Sequence, residues 1–315
     1  MVSNFILAVT ILAEIFGIVH PTQKLSTEIG ENSVFVKSTP GQVLGESSKD
    51  SQLPQIALSQ INPLPQPIQK NQFSTRARSA LVLDMNSNKI LYQKNANLSQ
   101  PIASITKLMT AVVILDNFNV NETVDISAHS AFQVGSKAHL LPGEQVSALE
   151  LIKAILIVSG NDAAAALEEH YGQEKLVATM NEKAQFLGMT NSKFADATGL
   201  DSGNISNAND LVLLTRYAMK NKIIVDAVIT REYIVVAKNG QTQHLIHTTN
   251  RLLNQYPDII GVKTGFTNEA GNCLIAVAKQ NKHQIVSIVL GVDNYDLRFS
   301  ESRDLLDSAF SGFKW

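Results

Sequence analysis

The segment from Ser104 to Lys107, Ser-Ile-Thr-Lys, places a hydroxyl and an amine three residues apart at the start of an apolar, helix-like run. Residues at positions i and i+3 lie on one helix face. A serine hydroxyl is a weak nucleophile until a base takes its proton, and a lysine with a lowered pKa can be that base. Backbone N–H groups at a helix start could hold a developing oxyanion. The alternative is an N-cap serine beside a solvated lysine.

A second motif, Ser159-Gly160-Asn161, ends an apolar run and precedes another helical pattern. The Ser159 hydroxyl could pass a proton, and the Asn161 amide could hold a substrate carbonyl. The same three residues recur at 202–204 in a polar loop, and either copy could be a plain turn. We favour the first copy, because the long apolar helix before it would hold it rigidly.

A third motif, Lys263-Thr264-Gly265, ends the strand-like run "DIIGV". Such a strand edge could pair with an extended substrate. Lys263 would supply positive charge for a substrate carboxylate and help to lower the pKa of Lys107, and Thr264 would donate to the same carboxylate. Gly265 would let the substrate approach the backbone. The alternative is a glycine turn after a strand, with a solvated lysine.

The pattern of elements predicts how these motifs are positioned. A hairpin pattern over 79–95 precedes the first motif, and helical patterns dominate from 119 to about 222. Short β-branched runs follow, and helical spacing closes the chain. The expected fold is therefore α/β of the α+β type, an antiparallel sheet flanked by helices with an inserted all-helical subdomain.

The N-terminal part has a different composition. Residues 5–19 are apolar apart from Thr10 and Glu14, which is typical of an export signal or an N-terminal membrane anchor over 1–19. Residues 20–78 are rich in Ser, Gln, Pro and Asn, which predicts a flexible linker. The folded domain is expected over 79–315.

Composition excludes some classes of function. The 315-residue chain has a formal net charge of −2, which gives no reason to expect nucleic-acid binding. Its single cysteine, Cys273, cannot form an internal disulfide or a multi-cysteine metal site. The histidines form no H-E-x-x-H pattern, and we interpret His244 and His247 as structural or surface residues. No metal and no cofactor are expected.

The three motifs occur in the order S-x-x-K, S-x-N and K-T-G, which is typical of penicillin-recognising serine enzymes. Over 79–315 the chain resembles the low-molecular-mass penicillin-binding proteins, the serine D-alanyl-D-alanine carboxypeptidases. The resemblance extends beyond the motifs to longer segments, among them "IVSGNDAAAALEEH", "FLGMTNSKFADATGLD" and "HTTNRLLNQYPDIIGVKTGFTNEAGNC". It implies a β-lactamase/transpeptidase-like fold.

The resemblance also implies roles for particular residues. Ser104 would be the acylated nucleophile and Lys107 its general base, and the second motif would be the copy at 159–161. The oxyanion hole would be the backbone N–H groups of Ser104 and Phe266. Lys263 and Thr264 would bind the terminal carboxylate. The segment "RFSES" resembles one that carries an arginine near the cleft, which adds Arg298.

The implied reaction is acyl transfer on peptidoglycan stem peptides, with release of the terminal D-alanine and hydrolysis of the acyl-enzyme. β-Lactam antibiotics would acylate the same serine. The substrate implies an extracytoplasmic location in the periplasm or cell envelope. Many relatives continue into a β-rich domain and a membrane helix. Because this chain ends at "SGFKW", membrane attachment is expected through the N-terminal segment.

Several alternatives stay open. A DD-endopeptidase that cuts cross-links would use the same residues. A β-lactamase would need a carboxylate base for deacylation, but no Glu lies between 196 and 226, and Glu168 and Glu169 are expected on a solvent-facing helix surface. A non-catalytic peptidoglycan sensor should have lost a motif residue, and none is missing. A Ser-His-Asp hydrolase is disfavoured because no G-x-S-x-G is present.

Overall fold

The computed structural model describes residues 64–68 and 73–315, all of which belong to one compact unit. The predicted N-terminal signal or anchor at 1–19 and most of the predicted linker lie outside the described residues. Among the described residues, no helix combines the length and apolar character that crossing a membrane requires.

Thirteen strands occur in the described part of the chain, and many of them are only two or three residues long. They are β1 (Gln66–Pro67), β2 (Ser79–Asp84), β3 (Ile90–Lys94), β4 (Gln100–Pro101), β5 (Thr123–Asp125), β6 (Gln145–Ser147), β7 (Ile205–Ser206), β8 (Glu232–Val236), β9 (Gln243–His247), β10 (Ile259–Thr267), β11 (Gly271–Gln280), β12 (His283–Val292) and β13 (Phe313–Lys314).

Nine α-helices occur in the same part of the chain, and a 3₁₀ turn, Ala103–Ile105, directly precedes the first. They are α1 (Thr106–Asn117), α2 (Ala128–Ala131), α3 (Ala148–Ile157), α4 (Asn161–Tyr171), α5 (Gln173–Phe186), α6 (Ala208–Ala218), α7 (Lys222–Val228), α8 (Leu252–Gln255) and α9 (Leu297–Gly312).

The central sheet contains five antiparallel strands in the order β10-β11-β12-β2-β3. Alternate residues of a strand point to opposite faces, and β12 uses both faces for burial. Val286 and Ile288 belong to the core shared with the helical insertion. Ile285 and Val289 belong to a second core, which includes apolar residues of α9. The sheet is therefore covered by helices on both faces.

The helices α1 to α7 lie between β3 and β8 in the chain and form the inserted helical part. Helix α1 is buried from Thr106 to Ile114, so it runs through the interior instead of presenting one polar face to solvent. An antiparallel sheet between helices, interrupted by a helical insertion, confirms the predicted fold class.

Two details differ from the expectations. Strand β8 pairs only with β9 in a separate hairpin and does not join the central sheet. Described residues before Ser79 also pack on the domain, because β1 pairs with β13 and the ring of Phe73 stacks on Tyr92 with centroids 5.0 Å apart. A two-residue strand such as Gln66–Pro67 has no apolar periodicity, which explains why composition placed the boundary later.

The fully buried Ile288 in the middle of the sheet offers a test of this packing. Ile288→Ala should lower the free energy of unfolding by about 2–5 kcal/mol, because the truncated side chain leaves a cavity. Leu245→Ala on β9, where the leucine is 57% exposed, should change it by less than about 1 kcal/mol. Urea unfolding measures both values. Similar costs for the two variants would contradict the assigned core.

Candidate active site

Ser104 lies in the 3₁₀ turn that enters α1, between two glycines from distant parts of the chain. At Gly199, where φ is +79°, an added Cβ would stand 2.2 Å from the carbonyl oxygen of Ala103. At Gly265, on β10, a Cβ would stand 2.9 Å from the carbonyl oxygen of Ile102 and 3.2 Å from the backbone nitrogen of Ser104. The contacts with the two carbonyl oxygens are too close for a side chain. The two glycines therefore let a loop and a strand pack directly against the backbone of Ser104.

Lys107, one turn further along, is fully buried. Its Nζ lies 3.0 Å from Ser104 Oγ and donates to Asn161 Oδ1 at 2.6 Å and to the carbonyl oxygen of Thr198. The amide and carbonyl oxygens can only accept hydrogen bonds. When the amine is neutral, they take its two N–H groups, and its lone pair is left to face the Ser104 hydroxyl.

Burial lowers the pKa of Lys107 to about 7, while the carboxylates of Asp196 and Asp162 act in the opposite direction. The neutral, basic form of this amine is therefore accessible near neutral pH. The sequence suggested that Lys263 would help to lower this pKa. The main cause in the structure is desolvation, and the charge of Lys107 contributes instead to the lowered pKa of Lys263.

The start of α4 fixes Asn161 against a neighbouring loop. The side-chain amide nitrogen of Asn161 donates to the carbonyl oxygen of Val134 at 2.5 Å. The backbone N–H of Asn161 donates to the carbonyl oxygen of Ser136 at 2.7 Å. The next residue, Asp162, accepts from the backbone N–H of Ala138 at 2.9 Å. The sequence predicted that the Asn161 amide would hold a substrate carbonyl. Here its oxygen holds Lys107, and one N–H holds the loop.

Ser159 and Lys263 form the opposite side of the cleft. Ser159 follows α3 with a φ of +62°, and its Oγ accepts from Lys263 Nζ at 2.8 Å. Lys263 Nζ also donates to the carbonyl oxygen of Thr264 at 2.9 Å. Burial, followed by the positive charges of Lys107 and Arg298, lowers the pKa of Lys263 well below its ordinary value.

The rest of the third motif runs along β10. Thr264 Oγ1 lies 2.6 Å from Thr249 Oγ1. Phe266, at the rim, is 55% exposed. Arg298, which was expected near the cleft, is buried on α9 and donates to the carbonyl oxygen of Gly265 at 3.0 Å. Its positive charge also acts on Lys263, so Arg298 lies beside the third motif and supports its strand.

The second copy of Ser-Gly-Asn forms a structural turn. Asn204 is buried, and its amide donates to Asp196 Oδ1 at 2.9 Å and accepts from the backbone N–H of Ala195 at 3.0 Å. The first copy contributes Ser159 and Asn161, which contact Lys263 and Lys107. The structure thus brings together Ser104, Lys107, Ser159, Asn161 and Lys263–Phe266, with Arg298 in contact with the backbone of Gly265.

Sequence reasoning missed the backbone carbonyls of Val134 and Thr198, which no residue type signals. It also placed Glu168 on a solvent face, whereas this carboxyl is half-buried and accepts from the backbone N–H of Ala197 at 3.3 Å.

Side chains that commonly bind metals are engaged elsewhere. His244 Nε2 lies 2.9 Å from Glu144 Oε2, and burial raises the pKa of the Cys273 thiol to about 11. Within residues 64–68 and 73–315, no three His, Cys, Asp or Glu side chains form a group that could hold a metal ion.

Residues 66–294 match the sequence profile of the D-alanyl-D-alanine carboxypeptidase family, Peptidase S11. The chain is 34% identical over 252 residues to the D-alanyl-D-alanine carboxypeptidase DacF of Bacillus subtilis, covering 78% of this chain and 64% of that protein. It is 35% identical over 232 residues to a D-alanyl-D-alanine endopeptidase of Pseudomonas aeruginosa, covering 72% of this chain and 75% of that protein.

The fold is also similar to the crystal structure of a Streptomyces DD-transpeptidase. The TM-score is 0.72 with 29% sequence identity, over 77% of this chain and all of the other. The chain therefore spans the full transpeptidase, but less than two thirds of the length of DacF.

The contact between Lys107 and Asn161 predicts the effect of a charge placed beside the amine. Asn161→Asp puts a carboxylate at the position 2.6 Å from Nζ, so the pKa of Lys107 should rise from about 7 by one unit or more. NMR titration of ¹⁵N-labelled lysine side chains measures this pKa. Asn121→Asp, the same change at an exposed position, should leave it unchanged. An unshifted Lys107 pKa in Asn161→Asp would refute the contact.

Proposed function

Because the chain belongs to the D-alanyl-D-alanine carboxypeptidase family, we propose that it is a serine D-Ala-D-Ala carboxypeptidase acting on peptidoglycan stem peptides. The observation that carries this proposal is the buried Lys107 Nζ, 3.0 Å from Ser104 Oγ, near a second lysine–serine pair, Lys263 and Ser159, whose lysine is close enough for the charge of Lys107 to lower its pKa. The reaction would proceed through an acyl-enzyme and use side chains, backbone N–H groups and water.

In the first step, neutral Lys107 takes the proton of Ser104 as its oxygen attacks the carbonyl between the two D-alanines. Asn161 and Thr198 hold the amine so that its lone pair is directed at the hydroxyl. A base with a pKa near the working pH combines availability with adequate strength.

The tetrahedral intermediate carries a negative oxygen, which backbone N–H groups of Ser104 and Phe266 would stabilise. The close approach of Gly265 to the backbone of Ser104 supports this assignment, since it brings β10 beside the entrance to α1. A side chain at position 265 would separate the two groups.

Departure of D-alanine requires a proton on its nitrogen. Ser159 Oγ accepts from Lys263, so its own hydroxyl proton is free to be donated to the leaving amine and then replaced from Lys263. The terminal carboxylate would bind to Lys263 and Thr264. Its negative charge offsets the desolvation that disfavours the Lys263 ammonium, so substrate binding would charge this lysine.

Before hydrolysis, Lys107 would release to solvent the proton that it took from Ser104, and Lys263 would regain a proton from solvent. Water then attacks the acyl-enzyme with neutral Lys107 again as the base, and Lys107 passes that proton to Ser104 Oγ as the acyl group leaves. A β-lactam would acylate Ser104 by opening its ring, and the leaving nitrogen would remain attached to the bound acyl group. β-Lactams are therefore proposed as inhibitors of this enzyme.

A DD-endopeptidase is the second candidate, favoured by the similarity to the Pseudomonas aeruginosa endopeptidase, which the chain covers to 75%. The two reactions cleave the same kind of bond and differ in the group beyond it. Either substrate places the enzyme outside the cytoplasm. Attachment to the membrane through residues 1–19 is part of this proposal and concerns residues outside the described structure.

Product analysis distinguishes the two reactions. The protein, incubated with a stem pentapeptide ending in D-Ala-D-Ala, should release one D-alanine, detected by mass spectrometry, and Ser104→Ala should release none. Cleavage of a cross-linked dimer alone would identify an endopeptidase. Absence of both products would contradict the proposed catalysis.

Removal of the base should separate binding from chemistry. Lys107→Ala should slow acylation of Ser104 by a labelled penicillin by about 10²- to 10⁴-fold, because the hydroxyl loses its proton acceptor. Binding of the intact pentapeptide should change little. Lys89→Ala, which removes a lysine from the distant β2–β3 turn, serves as the control and should acylate at the parental rate. A parental rate in Lys107→Ala would exclude this lysine as the base.

A further inference from the structure

Two adjacent glutamates on α4 have different surroundings. The helix is buried from Asn161 to Leu167, and the next residue, Glu168, is half-buried. Glu169 is exposed, and its carboxylate lies 2.6 Å from His129 Nδ1. The pair is a natural comparison, since the chemical group is the same and only the environment differs.

Glu168 faces a loop that reaches the catalytic lysine. Its Oε1 accepts from the backbone N–H of Ala197, and its side chain lines a cavity of about 290 Å³. The charged or titratable side chains that line this cavity with it are Glu169, Asp196, Asp201 and His129.

The charge balance of this cavity favours the neutral form of Glu168. Burial first, and then the negative charge of Asp196, raise the pKa of Glu168 to about 7. The hydrogen bond from the Ala197 N–H and the charge of His129 lower this pKa, and the negative charge of Glu169 raises it further. The hydrogen bond is therefore outweighed by desolvation and by repulsion from the neighbouring carboxylate.

Asp196 organises the loop from 196 to 201. Its carboxylate accepts from Thr198 Oγ1 at 2.9 Å, from the backbone N–H of Gly199 at 2.6 Å and from that of Asp201 at 3.0 Å. A change in the charge next to Asp196 therefore acts on the hydrogen bonds that give the loop its shape.

The same loop presents two successive carbonyl groups to α1. The oxygen of Ala197 accepts from Thr110 Oγ1 at 2.8 Å, and that of Thr198 accepts from Lys107. A shift of this short segment would change the contact that orients the Lys107 amine.

We propose that Glu168 is a positioning residue for acylation: in its neutral form it lets the Ala197–Thr198 segment hold Lys107, and its ionisation beside Asp196 loosens that segment. The inference rests on the proposed function, in which Lys107 is the base. In this proposal Glu168 does not contact the substrate and changes the rate of Ser104 acylation only through Lys107.

The direction of the pH effect follows from the raised pKa of Glu168. A carboxyl whose folded pKa lies above its ordinary value favours the folded geometry while it is protonated. The stability of this loop geometry therefore falls as pH rises from about 4.5 to about 7 and then levels off. Neutral Lys107 becomes more abundant over the upper part of this range. Deprotonation of Lys107 therefore raises the acylation rate with pH, while ionisation of Glu168 lowers it.

Replacement of either glutamate by glutamine separates the two effects. Glu168→Gln keeps the acceptor oxygen but cannot ionise, and Glu169→Gln removes the same charge from the exposed neighbour. Acylation of Ser104 by a labelled penicillin is measured from pH 5.5 to 9. The rate of Glu168→Gln should match the parental rate at pH 5.5 and exceed it severalfold at pH 8.5. The ratio for Glu169→Gln should change much less, because Glu169 makes only a minor contribution to the pKa of Glu168.

A constant ratio for Glu168→Gln, or an equal rise for Glu169→Gln, would overturn the inference. Thermal unfolding gives an independent readout, in which the Tm advantage of Glu168→Gln over the parent should grow between pH 5 and pH 8. Parallel Tm curves would also overturn it. Glu168→Met, which has a similar size and no ionisable group, should repeat the pH dependence if the glutamine variant does not fold. A parent that is not acylated at any pH would refute the proposed function, and the Tm comparison would still decide whether Glu168 is coupled to the loop.

Discussion

The burial of the Lys107 amine is the constraint on which the rest of the site depends. An ammonium group removed from water is costly unless polar groups surround it, and its pKa falls in consequence. The partners come from three separate parts of the chain: Ser104 before α1, Asn161 at the start of α4, and Thr198 in a loop. Folding must bring these segments together around one nitrogen, and the glycines at 199 and 265 permit the approach.

A second buried lysine on the other side of the cleft extends this argument. Lys107 and Lys263 each contact a serine hydroxyl, and desolvation lowers both pKa values. Their charges repel, which adds to the effect of desolvation and favours neutral amines. A bound carboxylate would reverse this preference at Lys263 and leave it in place at Lys107. The same side-chain type can thus serve as an anion receptor at one position and as a base at the other. Two buried lysines reduce folding stability, as is common at sites selected for activity.

The sequence predicted features that depend on side-chain type and periodicity. The β2–β3 hairpin, α1, the strands β10 to β12 and the three motifs were all visible in the residues. The carbonyls of Val134 and Thr198 were not, because a backbone acceptor leaves no trace in residue type. Glu168 was misplaced because four consecutive alanines precede Leu167, so α4 has no clear apolar stripe from which to assign its faces. Arg298 was identified as a site residue, but its contact with the backbone of Gly265 depends on how α9 packs on the sheet, which spacing alone does not determine.

The most direct test of the central claim changes the basicity of the amine at position 107 while keeping its place. In a Cys273→Ala background, Lys107→Cys can be alkylated with 2-bromoethylamine, which builds a lysine analogue with a sulfur atom in its chain and a less basic amine. Mass spectrometry verifies the modification, and Lys107→Ala treated in the same way is the control. If a neutral Lys107 is the base, alkylation should restore acylation of Ser104, and the rise of rate with pH should move to lower pH. Restored acylation with an unchanged pH dependence would contradict this account.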